Sequence, residues 1–171
     1  MVEKKRLTVR RELRDFTISY KELLERRSVN TPHRVDQLSE EDQYPTDITK
    51  VGSRRLGHLL SLYTAHLGYT LYVLADAESR LAYCKHKLEE RRSYWRYRRA
   101  PDNPRDRLKG DLEGEVNQIP EVKQWAEQKV LVEAEALMLR GIKEGFIAYR
   151  DGVSREITRR SEDAKATGRT T

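Results

Sequence analysis

Ser53 to Arg99, SRRLGHLLSLYTAHLGYTLYVLADAESRLAYCKHKLEERRSYWRYRR, is the stretch whose reading decides the fold. Leu60, Leu67, Leu74, Leu81 and Leu88 recur every seventh residue and Trp95 continues the row, while Tyr63, Thr70, Ala77 and Cys84 stand three residues further on. That alternation of three and four places one stripe of side chains along a helix, the pattern of a coiled-coil seam. No proline interrupts it. At 1.5 Å per residue the stretch predicts a rod on the order of 70 Å long, more than a compact small domain holds as one helix. The seam therefore needs a second element to cover it.

A matching element lies downstream. Pro120 suits the first position of a helix and Glu121 suits its positive end. Trp125, Val132, Leu139, Phe146 and Val153 then recur every seventh residue, with Ile142, Tyr149 and Ile157 near the complementary rows. The expected fold class is all-α, a long antiparallel helical hairpin of coiled-coil type with a short N-terminal helix. Around Leu59–Val73 and Val130–Leu139 the rods are apolar on more than one side, which a lone hairpin cannot bury, so a homo-oligomer is expected. Gly141 and Gly145 would let another helix come close at that level.

The rest divides around these rods. Residues 1–28 read as a basic amphipathic helix with Leu13, Phe16, Tyr20 and Leu23 or Leu24 on one face, and its nine basic residues against five acidic ones leave +4, which suits a nucleic-acid arm and no less well the solvated face of a docking helix. Residues 29–52 read as an extended linker rich in proline and acidic groups. Residues 53–160 form the hairpin, its rods at 53–99 and 120–160 joined by a loop at 100–119 with room for a helical turn around Leu108–Val116, and residues 161–171 read as a disordered tail.

Of the 171 residues, 37% are apolar and 36% charged, which favours an elongated helical protein over one with a thick core. The net charge of +6 favours a polyanionic partner. Cys84, the one cysteine, falls on the seam and reads as a packed thiol, and a reducing, cytoplasmic setting follows, the host cytoplasm if the protein is viral. The start, MVEKKRLTVRREL, lacks the apolar run of a signal peptide. Leu56–Ala75 carries no formal charge, but His58, His66, three tyrosines, two threonines, Ser61 and two glycines argue against a membrane span.

No catalytic motif is present, and His58 and His66 are spaced too far apart to share a metal without a ligand between them. A non-enzymatic protein without cofactors is expected. The constellation that stands out is Lys85–Lys109, with ten basic residues against four acidic ones, a surplus equal to the whole chain's +6. Its candidate nucleic-acid contacts are Lys87, Arg91, Arg92, Tyr94, Arg96, Tyr97, Arg98, Arg99, Arg105 and Arg107. Guanidinium groups neutralise phosphates and tyrosine faces stack on unpaired bases, so the pattern points to single-stranded, sequence-tolerant binding. A basic zipper is excluded, because there the basic region precedes the leucines and here it follows them.

With those residues in view, the chain resembles phage recombination mediators of the UvsY type. The resemblance rests on DITK at Asp47–Lys50, RRSYW at Arg91–Trp95 and RGIKEGFIAYRDGV at Arg140–Val153. It implies a ring-like oligomer that binds single-stranded DNA near Arg91, Arg92 and Arg96 and helps a RecA-like recombinase displace the single-strand-binding protein. Where that family carries a lysine, this chain has Glu89 or Glu90. Two other readings fit the same residues without nucleic acid: a phage structural or assembly coiled coil, and an adaptor that binds a host enzyme through the N-terminal helix.

Overall fold

A computed structural model describes residues 2–27, 32, 34, 38–99 and 109–168, and among these the chain is all-helical. Its helices are α1 (Val2–Arg26), α2 (Ser53–Arg99), α3 (Lys109–Gln118) and α4 (Pro120–Ala166), with short 3-10 turns at Glu40–Asp42 and Ile48–Lys50. The chain divides into two compact units. The first comprises Met1–Asn30 and Ala75–Leu137, and the second Thr31–Leu74 and Met138–Thr171, so α2 and α4 each contribute to both.

The seam on α2 is buried as its spacing requires. Leu67, Leu74, Leu81 and Leu88 are buried together with Tyr63, Thr70, Ala77 and Cys84, and Leu60 is half-buried. Burial raises the Cys84 thiol's pKa, as expected of a packed group rather than a reactive one. On α4 the predicted row is buried at Trp125, Val132 and Val153 and half-buried at Leu139 and Phe146. Ile142 and Tyr149, assigned to the complementary row, are instead 47% and 38% exposed.

In the first unit Leu81, Cys84 and Leu88 of α2 pack with Val116, Ile119, Val122, Trp125 and Val132, and Val9 of α1 closes the cluster. Phe16 stacks on Tyr83 at 4.3 Å between centroids, and Tyr83 meets Trp125 edge-on at 5.9 Å. Beside that core Arg80 reaches Glu135 of α4 with two hydrogen bonds, of 2.8 and 3.0 Å, and Asp76 of its own helix with a third.

In the second unit Leu56, Leu59 and Tyr63 pack on Val153, covered by Leu38, Tyr44, Ile48 and Val51. Those four come from the stretch expected to be an extended linker. Its apolar residues are few but spaced across two 3-10 turns, which Ser39 and Asp47 cap by accepting hydrogen bonds from the Asp42 and Thr49 amides. The Tyr63 hydroxyl donates to the Asp42 carbonyl at 3.0 Å, and burial pushes its pKa up to about 12. Arg55 holds the Asp42 carboxylate at 2.7 Å. The remainder of the expected linker, at 29–31, 33 and 35–37, lies outside the described residues.

Two further boundaries move. Within the expected loop, Lys109–Gln118 is helical, because Leu112, Val116 and Ile119 give it an apolar face. The expected tail is helical to Ala166, tied by Arg159 to Asp163 and by Thr167 to the Asp163 carbonyl. Gly168, at φ 68°, takes the left-handed conformation that ends α4. No helix among the described residues is long and apolar enough to cross a membrane.

Candidate nucleic-acid interface

The last four turns of α2 carry the predicted contacts, and α3 with the start of α4 stands beside them in the first unit. Helical spacing alternates cations and carboxylates here, so most cations find a partner. Lys87 bonds Glu90 at 2.8 Å, which raises the lysine's pKa and lowers the glutamate's. Arg91 Nε lies 3.0 Å from Glu121, without hydrogen-bond geometry at that nitrogen. Arg92 donates to the Asn117 side-chain oxygen at 3.1 Å and lies 3.9 Å from Glu89. Arg96 sits between Glu113 at 2.7 Å and Glu89 at 2.9 Å, and these two, Glu113 foremost, raise its pKa. Arg99 meets Glu115 at 3.3 Å.

What remains unpaired is narrower than the sequence suggested. Arg98 makes no ion pair among the described residues and lies over the Tyr94 ring at 5.1 Å. Tyr97 is 86% exposed and Tyr94 43%. Trp95 is half-buried against the first core, as a seam residue should be, and meets Tyr94 edge-on at 5.4 Å. Arg105 and Arg107 lie outside the described residues.

The structure thus leaves Tyr97 exposed beside the Arg98–Tyr94 pair, without carboxylates, and it occupies Lys87, Arg91, Arg92, Arg96 and Arg99 with carboxylates. From Lys85 to Arg99 there are seven lysines and arginines, and five glutamates pair with them. The sequence window counted Glu89 and Glu90 but not Glu113, Glu115 and Glu121, which arrive through space. The signal for them was the spacing of Leu112, Val116 and Ile119, which makes a helix of what reads as a loop and sets Glu113 and Glu115 beside α2.

Sequence reasoning weighed the surplus charge of residues 1–28 without singling out any of its cations. Arg10, Arg14 and Lys21 on α1 are exposed and have no carboxylate partner among the described residues. No group of side chains among the described residues could hold a metal ion. The chain matches no protein-family profile, no curated protein and no solved structure.

Proposed function

We propose that this chain is a non-enzymatic, self-associating helical protein that binds single-stranded DNA at the end of α2, in the manner of the recombination mediators it resembles. The observation that carries the reading is Tyr97, 86% exposed one residue from an unpaired Arg98 that lies over Tyr94. An exposed tyrosine costs apolar surface in water, and an unpaired base recovers it by stacking, at about 1–3 kcal/mol per base. The paired arginines join by exchanging carboxylate for phosphate, since exposed ion pairs contribute only about 0–1 kcal/mol. In this reading α2 and α4 form an antiparallel hairpin, and a RecA-like recombinase and the single-strand-binding protein are the partners on the DNA.

Self-association is supported by the face of α4 that points away from its packed row. Leu131, Met138 and Gly145 recur there every seventh residue, with Ala134, Gly141 and Ala148 three further on. Leu131 is 62% and Met138 69% exposed. A methyl group on Gly141 or Gly145 would meet nothing within 4 Å. Glycine inside a helix costs roughly 0.5–1 kcal/mol against alanine, and no close contact among the described residues compensates it. A neighbouring helix at close approach does.

Fluorescence anisotropy of a labelled oligo-dT tests the DNA reading. Tyr97→Ala with Arg98→Gln is expected to weaken binding by about tenfold or more, the equivalent of one lost stack and one lost phosphate contact. Equal affinity in that variant overturns the assignment to the end of α2. The second reading, an assembly coiled coil without nucleic acid, is favoured by the carboxylates that already occupy Arg91, Arg96 and Arg99. Failure of the native protein to bind oligo-dT at low salt, with a mass that still rises with protein concentration, would favour it.

A further inference from the structure

The charge of the first unit is unevenly placed. Its segment Ala75–Leu137 has thirteen basic and thirteen acidic residues, and its segment Met1–Asn30 has nine basic and five acidic ones. The unit's whole surplus of positive charge therefore belongs to the N-terminal segment, where α1 lies. The end of α2, however rich in arginine, stands in a region of zero net charge.

On α1 the charges are also sorted by face. At about 100° per residue, Arg10, Arg14 and Lys21 fall within about 40° of one another; Glu12, Asp15 and Glu22 lie on the far flank, and Glu25 stands on the cationic side, one turn beyond Lys21. Arg10 borders a shallow hollow with Val9, Gln124, Glu127, Gln128 and Leu131, and neither it nor Arg14 pairs with a described carboxylate. Lys21 likewise makes no ion pair with Glu25, one turn on. Three unpaired cations thus lie along a line about 16 Å long. A stacked strand rises about 3.4 Å per phosphate, so that line is long enough to track about five.

A basic amphipathic helix also suits an anionic bilayer, which would require its apolar face. On α1 the first half of that face is already used, since Val9 is buried at 6% exposure and Phe16 stacks on Tyr83, which leaves only Ile18 and Leu23 among the described residues, at 44% and 45% exposed, for a bilayer. We infer that the flank of α1 bearing Arg10, Arg14 and Lys21 is a phosphate-contacting surface for single-stranded nucleic acid, separate from the tyrosines at the end of α2. It supplies the electrostatic attraction, and the tyrosines supply the stacking.

This inference rests on the single-stranded DNA reading, and one set of measurements separates the two. Full-length protein carrying R10Q, R14Q and K21Q together is titrated against labelled oligo-dT over a range of salt, with helix content checked by circular dichroism. Affinity is expected to fall by about tenfold or more at low salt, and the slope of log affinity against log salt to lose about 2, close to 0.7 for each phosphate contact. The charge-preserving set R10K, R14K and K21R is expected to bind as the native protein does, and it serves as the control should the neutral variant fail to fold. An unchanged slope in the neutral variant, with native binding intact, overturns the α1 surface and leaves the DNA reading standing; so does lost binding in the charge-preserving set. Native protein that ignores oligo-dT but binds phosphatidylserine vesicles through these residues overturns both.

Discussion

Glu156 shows how single residues fix this fold. It is 6% exposed on α4, bonded by Arg159 at 2.8 Å and Arg160 at 2.7 Å, and Arg160 also donates to the Thr49 carbonyl at 2.8 Å. One carboxylate therefore orients the arginine that ties the turn at Ile48–Lys50 to α4 within the second unit. Arg159, then Arg160, lower its pKa from 4.5 to about 2. Because the folded value is the depressed one, the stabilisation is complete above about 4.5 and is lost as pH falls toward about 2. Glu156→Gln is expected to lower the melting temperature at pH 7 and to flatten its dependence on pH across that window. Parallel melting curves for the two proteins between pH 5 and pH 2, in steps of about one unit, would refute this role. The sequence hid this residue, since a glutamate three and four places before arginines reads as an ordinary solvated helix pair.

At the scale of the helices, periodicity carried most of the information. Leucines every seventh residue and the absence of proline were enough to place α2, and Pro120 with Glu121 marked the start of α4. Short elements were harder to read: α3 shows as one helical turn in the sequence, and the turns at 40–42 and 48–50 carry between them a single apolar residue, Ile48, and are held by partners distant in sequence. The glycines of α4 separate two kinds of helix surface. A methyl on Gly152 would fall on the Tyr44 hydroxyl and within 3.2 Å of its ring carbon, and Tyr44 is itself stacked on Tyr149 at 4.8 Å. Gly152→Ala should therefore lower the melting temperature. Gly141→Ala meets nothing within 4 Å, and in dilute protein it should raise stability by roughly 0.5–1 kcal/mol. At high concentration the same methyl should weaken self-association. Thermal melts over a range of protein concentrations check both, and a Gly141→Ala variant that associates as the native chain does would remove the close-approach argument.

At the scale of the molecule, the exposed residues of α4 would set how strongly copies hold together in the proposed self-association. Val130, Leu131, Leu137, Met138, Ile142 and Tyr149 are 38–69% exposed. Burying the remaining half of each contributes roughly 1 kcal/mol, on the order of 12 kcal/mol gross when two copies bury six side chains each. Association itself costs an estimated 4–15 kcal/mol, so this face alone supports a weak, concentration-dependent assembly rather than a permanent one. In the proposed reading multivalency would give that weakness a use, since copies gathered on one strand would bind it with a combined affinity that no single weakly charged tip supplies. The expected result in light scattering is a mass that rises with protein concentration and rises further with a long oligo-dT. Met138→Glu with Ile142→Glu places like charges on the row, and should hold the protein at the mass of one chain while leaving its helix content unchanged. Because that variant keeps Tyr97, Arg98 and the cations of α1, it should still bind a short oligonucleotide and lose chiefly the extra affinity for a long one. A native protein that stays monomeric at every concentration, with and without DNA, would leave the row without a partner copy and refute the assembly.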